Sequence, residues 1–298
     1  VITAPSVDFA TDRARVQQAL RTLAAAQPAL LPAPVGAAVE YALLGEGKRL
    51  RAILFLAAYR AAGGADDATA LAVAIEVVHA YSLVHDDLPC MDDDDMRRGR
   101  PTVHKVFGVR AATAAGLAMV PLAARAAFMG ARSLGLSPAK SGAAVRELMQ
   151  ASGAAGMIGG QLLDLEGEGE ALSLQRLERI HSLKTGALIR ACTVLGGEAA
   201  DAPPAVIDAL DTYGRAIGLA FQIADDVLDV TATTDELGKT AGKDVAVQKS
   251  TYPALLGVEG AISRANALVD EACAALAARD LLTPALEHLA RFTVTRRS

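Results

Sequence analysis

Alanine, leucine and charged residues recur at spacings of three and four almost from end to end, and sustained polar–apolar alternation is nearly absent. Spacing near 3.6 collects apolar side chains on one helix face, whereas a half-buried strand needs a period of two. This predicts an all-α chain. The one short strand-like stretch, Phe292 to Thr295, is too brief to support a sheet. Helix breaks are expected at Gly63-Gly64 with Asp66-Asp67, Ser137-Pro138, Gly196-Gly197, Pro203-Pro204 and Thr283-Pro284. No Ser/Gly linker or composition shift divides the 298 residues, so a single helical bundle over 1–298 is the economical expectation. At 52% hydrophobic residues the chain has the means to build a large core.

A formal charge of −5 disfavours a general nucleic-acid surface and leaves room for a local basic site. Cys90, Cys192 and Cys273 stand far apart without a CxxC pair, which fits a reducing compartment without disulfides or structural zinc. No basic-then-apolar leader follows Val1, and the longest charge-free apolar stretch, Ala111 to Ala124, is short for a bilayer and contains Pro121. No membrane span and a cytoplasmic location are therefore expected. Gly153, Gly156, Gly159 and Gly160 crowd an otherwise helical segment. Each costs about 1 kcal/mol against alanine inside a helix. Close helix packing and a thin wall beside a ligand cavity are the two readings.

Two acidic clusters stand out. The first runs Asp86-Asp87-Leu-Pro-Cys-Met-Asp92-Asp93-Asp94-Asp95 and ends the apolar helical run Leu71 to Val84, with Pro89 marking the break. A solvated acidic loop is the plain alternative. Against it, the feeding helix is strongly apolar, and Arg97, Arg98 and Arg100 follow at once. Hard oxygen ligands of this kind suit Mg²⁺ bridged to substrate phosphates. The spacing and closing Glu of a calcium EF-hand are missing. The second cluster holds Gln222, Asp225, Asp226 and Asp229. Asp225 and Asp229 share a helix face one turn apart, where unpaired like charges destabilise. Either a cation or a solvated acidic face accounts for it.

Cations surround these clusters. Gly47-Lys48-Arg49-Leu50-Arg51 opens an apolar helix and places three cations by helix-start donors. Lys184-Thr185 follows His181 in a helical segment, and Lys239, Lys243 and Lys249 cluster after the second acidic motif. His79 lies seven residues before Asp86 on nearly the same face. Two metal-binding clusters and cations enough for two polyphosphate groups emerge together.

These residues resemble the trans-isoprenyl diphosphate synthases, and are most similar to bacterial farnesyl and geranylgeranyl diphosphate synthases. The matching segments are GEGKRLR (45–51), HAYSLVHDDLPCMDDDDMRRGRPTVHKVFG (79–108), GGQLLDLEGEG (159–169), HSLKTGALIRA (181–191), GLAFQIADDVLDV (218–230) and LGKTAGKDVAVQKSTYPALLG (237–257). They stand in family order. The resemblance implies an isoprenoid-synthase helical bundle with a central cavity, Mg²⁺ as cofactor, and a homodimer. It implies metal ligation by Asp86, Asp92 and Asp225, with Asp87, Asp226 and Asp229 in the same motifs. Lys48, Arg51, His79 and Arg98 fall on positions holding isopentenyl diphosphate, assisted by Arg49. Arg97, Lys184, Thr185, Gln222, Lys239 and Lys249 fall on positions serving the allylic diphosphate. Tyr81, with Ser82 beside it, falls where product length is set, and an aromatic there with the two-residue insertion points to fifteen carbons. Three departures stand out: Leu117 where the family usually has aspartate, Val109 where it has an acid, and Ala52 where it has proline. Leu117 is expected to border the acyl pocket and the dimer contact.

The implied reaction is a head-to-tail condensation. The allylic carbon–oxygen bond breaks, and Asp86, Asp92 and Asp225 through Mg²⁺, with Arg97, Lys184, Lys239 and Lys249, stabilise the leaving diphosphate. The double bond of isopentenyl diphosphate captures the cation, and the departing pyrophosphate takes the proton. Farnesyl diphosphate is the expected product and geranylgeranyl diphosphate the alternative. A class I terpene cyclase would share the fold but need no isopentenyl site. A non-catalytic partner subunit would tend to lose its acidic motifs. A polyphosphate hydrolase would leave the long apolar helices unexplained.

Overall fold

The computed structural model describes residues 9–231 and 250–296. Its elements begin with α1 (Ala10–Ala25), α2 (Gln27–Leu30), α3 (Val35–Leu43), α4 (Leu50–Ala61) and α5 (Thr69–Asp86). A two-residue ladder pairs β1 (Met96–Arg97) antiparallel with β2 (Arg100–Pro101), Met96 opposite Pro101. The helices α6 (Val103–Phe107), α7 (Val109–Ser133), α8 (Pro138–Ser152), α9 (Met157–Glu166) and α10 (Leu174–His181) follow. A π-helical turn, Ser182–Gly186, joins α10 to α11 (Ala187–Ala199), and α12 (Pro204–Thr231), α13 (Tyr252–Ala277) and α14 (Pro284–Thr295) end the described chain. The all-α expectation holds, with that ladder the only strand pair among the described residues.

Burial sorts these helices into inner and outer ones. In α4 every residue from Ala52 to Tyr59 is buried, and in α5 every residue from Leu71 to Val78. A helix apolar all round can only sit inside. Around them α5 packs on α7, α4 on α11, α11 on α12 and α12 on α13. The buried side chains form one contiguous cluster. Tyr213, fully buried in α12, donates its hydroxyl to the Leu286 carbonyl of α14 at 2.7 Å, so the last helix is tied to the core by a satisfied polar group.

Most of the expected punctuation ends or starts a helix. Ser137 and Thr283 cap α8 and α14, accepting from the backbone N–H of Lys140 and Leu286. Gly196-Gly197 does not: both lie inside α11. A Cβ on Gly196 would stand 2.7 Å from the Ala58 Cβ and the Tyr59 nitrogen, so glycine serves the close crossing of α4 and α11. Phe292 to Thr295, the strand-like stretch, is the last turn of α14.

By length and composition α7 is the one helix among the described residues able to cross a membrane. Its inner face, Ala112, Ala115, Met119, Ala123, Ala127 and Ala131, is fully buried, with α5 its closest neighbour, and Pro121 lies within it. Leu117 is 61% exposed on the outer side, whereas its neighbour Gly116 faces His85 of α5. The family departure at Leu117 therefore lies on the uncovered surface, away from the interior of a single chain.

Candidate active site

Helix α5 delivers the first acidic motif. After Asp86 the chain curls back, and Met91 and Asp93 both donate to the Leu88 carbonyl while Asp92 donates to the Asp86 carbonyl at 2.8 Å. The two-residue insertion thus returns Asp92 to the helix end. Burial raises the Asp86 carboxyl to about 6; Lys184 pulls it down and Asp92 pushes it up. Asp87 is occupied differently: it is buried, and Arg97 donates to it through Nε at 2.6 Å. Arg97 also reaches Asp94 at 3.4 Å. Among the described residues, one group of three acidic or His side chains has its ligand atoms all within 4.8 Å: Asp93, Asp95 and His104. There Lys105 pairs with Asp95 at 2.6 Å and Thr102 meets His104 Nδ1 at 3.1 Å. The six aspartates expected at metal form no such closed cage.

The second motif rides on α12. Asp225, about one-third exposed, accepts from Arg296 at 2.6 Å. The Arg296 guanidinium stacks 3.8 Å over the Phe221 ring and donates to the Phe221 carbonyl. Asp226 points elsewhere, accepting from the backbone N–H of Tyr252 at 3.0 Å where α13 begins. Asp229 is buried, and its Oδ2 has no hydrogen-bond partner among the described residues.

Facing these motifs is the π-turn that carries Lys184 and Thr185. Such turns inside helices recur at functional sites because they push one residue out of register. Lys184 Nζ pairs with Asp164 of α9 at 2.5 Å, and Thr185 donates to Gln222 of α12 at 2.7 Å. Glycines bracket the turn on both sides. A Cβ on Gly160 would stand 2.1 Å from the Lys184 nitrogen, and one on Gly218 would stand 2.8 Å from the Gly186 Cα. The crowding of glycines is thus resolved at Gly160 as close packing beside the site, while Gly153 and Gly156 flank the break between α8 and α9.

Beside the second motif an open cleft of about 1230 Å³ is lined by Lys48, Arg51, His79, Arg98 and Arg296, with Arg13 and Gln17 of α1. His79 Nε2 lies 3.4 Å from Arg51 and 3.3 Å from Arg98. Burial, then those two arginines, hold the imidazole well below its usual pKa, so it is neutral and accepts from a guanidinium. Among the described residues Arg51 Nε is buried without a hydrogen-bond partner, an arrangement suited to an incoming anion. Lys48 is lowered by partial burial and by Arg296. Arg49, expected to assist here, turns inward instead: its guanidinium meets Gln17, Glu76 and the Gly45 carbonyl.

Tyr81 is buried in α5, its hydroxyl donating to the Ser152 carbonyl at 3.1 Å and its ring edge-on to His85. Ser82 donates to the His79 carbonyl. Lys239 and Lys249 lie outside the described residues. Three residues in the site went unnamed in the sequence: Glu76, Asp164 and Arg296. Asp164 belongs to a segment that resembles the family, and its carboxylate set between Leu163 and Leu165 was the available signal. Arg296 had none, because its partner lies 71 residues away.

The polyprenyl synthetase family profile matches residues 33–283. Among curated proteins, a farnesyl diphosphate synthase of Escherichia coli is 47% identical over 268 residues, covering 88% of this chain and 89% of its own. Geranylgeranyl pyrophosphate synthase 9, chloroplastic, of Arabidopsis thaliana is 48% identical over 251 residues, covering 82% and 69%. The crystal structure of a geranyltransferase from Helicobacter pylori, complexed with magnesium and isoprenyl diphosphate, superposes with a TM-score of 0.80. Its identity is 30%, and 98% of each chain is covered.

Proposed function

Since this chain belongs to the polyprenyl synthetase family, its reaction is the head-to-tail condensation of isopentenyl diphosphate with an allylic diphosphate, and we propose that its product is farnesyl diphosphate. The observation that carries the assignment of roles is the division of the site. One side holds His79 in contact with both Arg51 and Arg98; the other brings Asp86 within the field of Lys184. Two diphosphates need two such places.

In this reading Arg51, Arg98 and Lys48 bind isopentenyl diphosphate, with neutral His79 aligning the two guanidiniums. Lys184, released from Asp164, and Thr185, aligned by Gln222, meet the allylic diphosphate. Lys239 and Lys249 are assigned the same duty from the sequence alone. The acidic residues fit Mg²⁺ by their chemistry: hard oxygen donors, a partly buried Asp86 raised to about 6, and a buried Asp229 oxygen with no hydrogen-bond partner among the described residues. Asp86, Asp92, Asp225 and Asp229 would hold the metal, which when bound takes up charge developing on the leaving diphosphate. Asp87 and Asp226 are engaged by Arg97 and by the Tyr252 N–H, and serve to anchor the two motifs. Among the described residues of the cleft, His79 is held between guanidiniums and Glu76 is held by Arg49 and the Ala52 N–H, so neither is assigned as the base. The departing pyrophosphate therefore takes the proton.

The pH dependence follows from Asp86. Its carboxyl must lose a proton to bind a metal, and in the metal-free protein that proton leaves near pH 6. Below that pH, proton competition is expected to raise the half-saturating Mg²⁺ concentration roughly tenfold per unit; above it the requirement levels off. Magnesium titrations of turnover at pH 5, 6 and 7.5 read this out. A requirement unchanged between pH 5 and 6 would remove Asp86 from the metal site.

Tyr81 supports the fifteen-carbon product. It sits five residues before Asp86, roughly 7.5 Å along the helix at 1.5 Å per residue, and its tie to Ser152 fixes the ring. Ser82 lies beside it in the same turn. Purified protein with Mg²⁺, isopentenyl diphosphate and dimethylallyl, geranyl or farnesyl diphosphate is expected to yield mainly a fifteen-carbon product. Tyr81→Ala is expected to shift this to twenty carbons or longer. Twenty carbons from the unaltered protein would reject Tyr81 as the floor, and no condensation by folded protein would point to a non-catalytic subunit.

We also assign the chain a single helical domain that pairs with a second copy through the outer face of α7. Leu117 and Phe128 lie exposed there, and apolar side chains on one helix face are what a second copy could cover.

A further inference from the structure

A carboxylate is out of place in a cleft that receives diphosphate, yet Glu76 borders the cleft, 3% exposed, on the same face of α5 as His79 and one turn before it. Its two oxygens have separate tasks. Oε1 accepts from the backbone N–H of Ala52, in the first turn of α4, at 3.2 Å. Oε2 lies 3.3 Å from Arg49 Nη1. Arg49, 7% exposed, is the N-cap residue of α4; its φ is +54°, and its side chain makes no cap hydrogen bond. The first turn of α4 is therefore capped from a different helix, by a charge suited to the positive end of the helix dipole.

Arg49 completes the arrangement. Its Nε donates to Gln17 of α1 at 3.0 Å, and its Nη2 reaches the Gly45 carbonyl. One guanidinium thus ties together α1, α5 and the segment 45–49. On either side of it in sequence stand Lys48 and Arg51, the residues assigned to isopentenyl diphosphate. We propose that Glu76 and Arg49 form a buried positioning pair that fixes the backbone of segment 45–52 and so aims Lys48 and Arg51 at isopentenyl diphosphate without touching it. This rests on the assignment of that cleft to isopentenyl diphosphate.

Coulomb's law and the positioning role predict opposite signs. If Glu76 were only an anion near an anionic ligand, removing its charge would tighten binding. As a positioning residue, its neutralisation loosens the segment and weakens binding. The test is Glu76→Gln, which keeps an acceptor for Ala52 and removes the ion pair, read by steady-state kinetics with each substrate varied in turn. The expected result is a KM for isopentenyl diphosphate raised about tenfold, with the KM for the allylic substrate changed less than twofold. Arg49→Lys is expected to give the same selective rise, and the double variant less than the product of the two. An isopentenyl KM that falls or stays level, or both KM values rising together, overturns the proposal. If Glu76→Gln does not accumulate as folded protein, Arg49→Lys alone decides on the same criteria. Arg51→Ala separates the two levels. If it leaves the isopentenyl KM unchanged, the cleft assignment fails; if it raises that KM and Glu76→Gln does not, only the positioning pair fails.

Discussion

Replacing Asp86 by asparagine is expected to lower kcat/KM by about 10³-fold and, in the same protein, to raise the melting temperature measured without metal. Both effects have one cause. Burial lifts the Asp86 carboxyl from its ordinary 3.8 to about 6, so the folded chain holds this proton more tightly than the unfolded chain does. Between roughly pH 4 and 6 stability therefore declines as pH rises, and above pH 6 the full deficit is present. A shift of about two units corresponds to an upper value near 3 kcal/mol; Asp86 keeps some solvent contact, so about 2 kcal/mol is the working figure. For a chain of this size that is about 4 °C. The asparagine side chain escapes the penalty and cannot supply the negative oxygen that a metal needs. Calorimetry in a chelator at pH 7.5 and again at pH 4 makes the check: the gain should be present at pH 7.5 and nearly vanish at pH 4. An equal gain at both would assign it to packing. A variant as active as the original would remove Asp86 from catalysis.

Gly160→Val is expected to be the most damaging single change outside the acidic motifs. A Cβ at this position would stand 2.1 Å from the Lys184 nitrogen, 2.5 Å from its Cα and 2.7 Å from the Leu183 carbonyl carbon. All three are backbone atoms, so no rotamer change relieves the clash; α9 or the π-turn must move. Overpacking of a well-ordered interior costs about 1–3 kcal/mol when side chains can adjust. A backbone clash on this scale is expected to reach about 3 kcal/mol or more. Because the π-turn carries Lys184 and Thr185, the surviving folded protein should show a raised KM for the allylic substrate, with the isopentenyl KM less affected. Gly142→Ala in α8 is the control. The nearest atom to its Cβ would be an Arg146 nitrogen at 3.8 Å, so a small gain in melting temperature is expected there. If Gly160→Val melts with the unaltered protein, the clamp on the π-turn is not what holds it.

Much of the site was legible before any coordinates. The two acidic clusters are legible because carboxylates at the end of an apolar helix, or one turn apart on one, cost energy that a solvated surface would not impose; singling out Asp86, Asp92 and Asp225 within them rests on the family resemblance. Lys48 and Arg51 were visible because they open an apolar helix. Arg49 stands between them and reads the same in sequence, yet its side chain turns inward to Glu76 and Gln17. Gly196-Gly197 read as a helix end, because nothing local distinguishes a glycine that breaks a helix from one that lets a second helix cross.

The sequence alone determined the all-helical class, the positions of the two acidic motifs and the basic helix start, since each depends on periodicity or on neighbours within a few residues. Tertiary structure alone decided which partner each carboxylate meets. Asp87 faces Arg97 and Asp226 faces the start of α13, although each is adjacent in sequence to an aspartate that faces the site. It also placed Arg296 on Asp225 and Glu76 behind Arg49. The reason is that consecutive residues on a helix point about 100° apart, and what each then meets belongs to another helix. Local spacing fixes a direction, while the charge waiting in that direction is set by long-range packing.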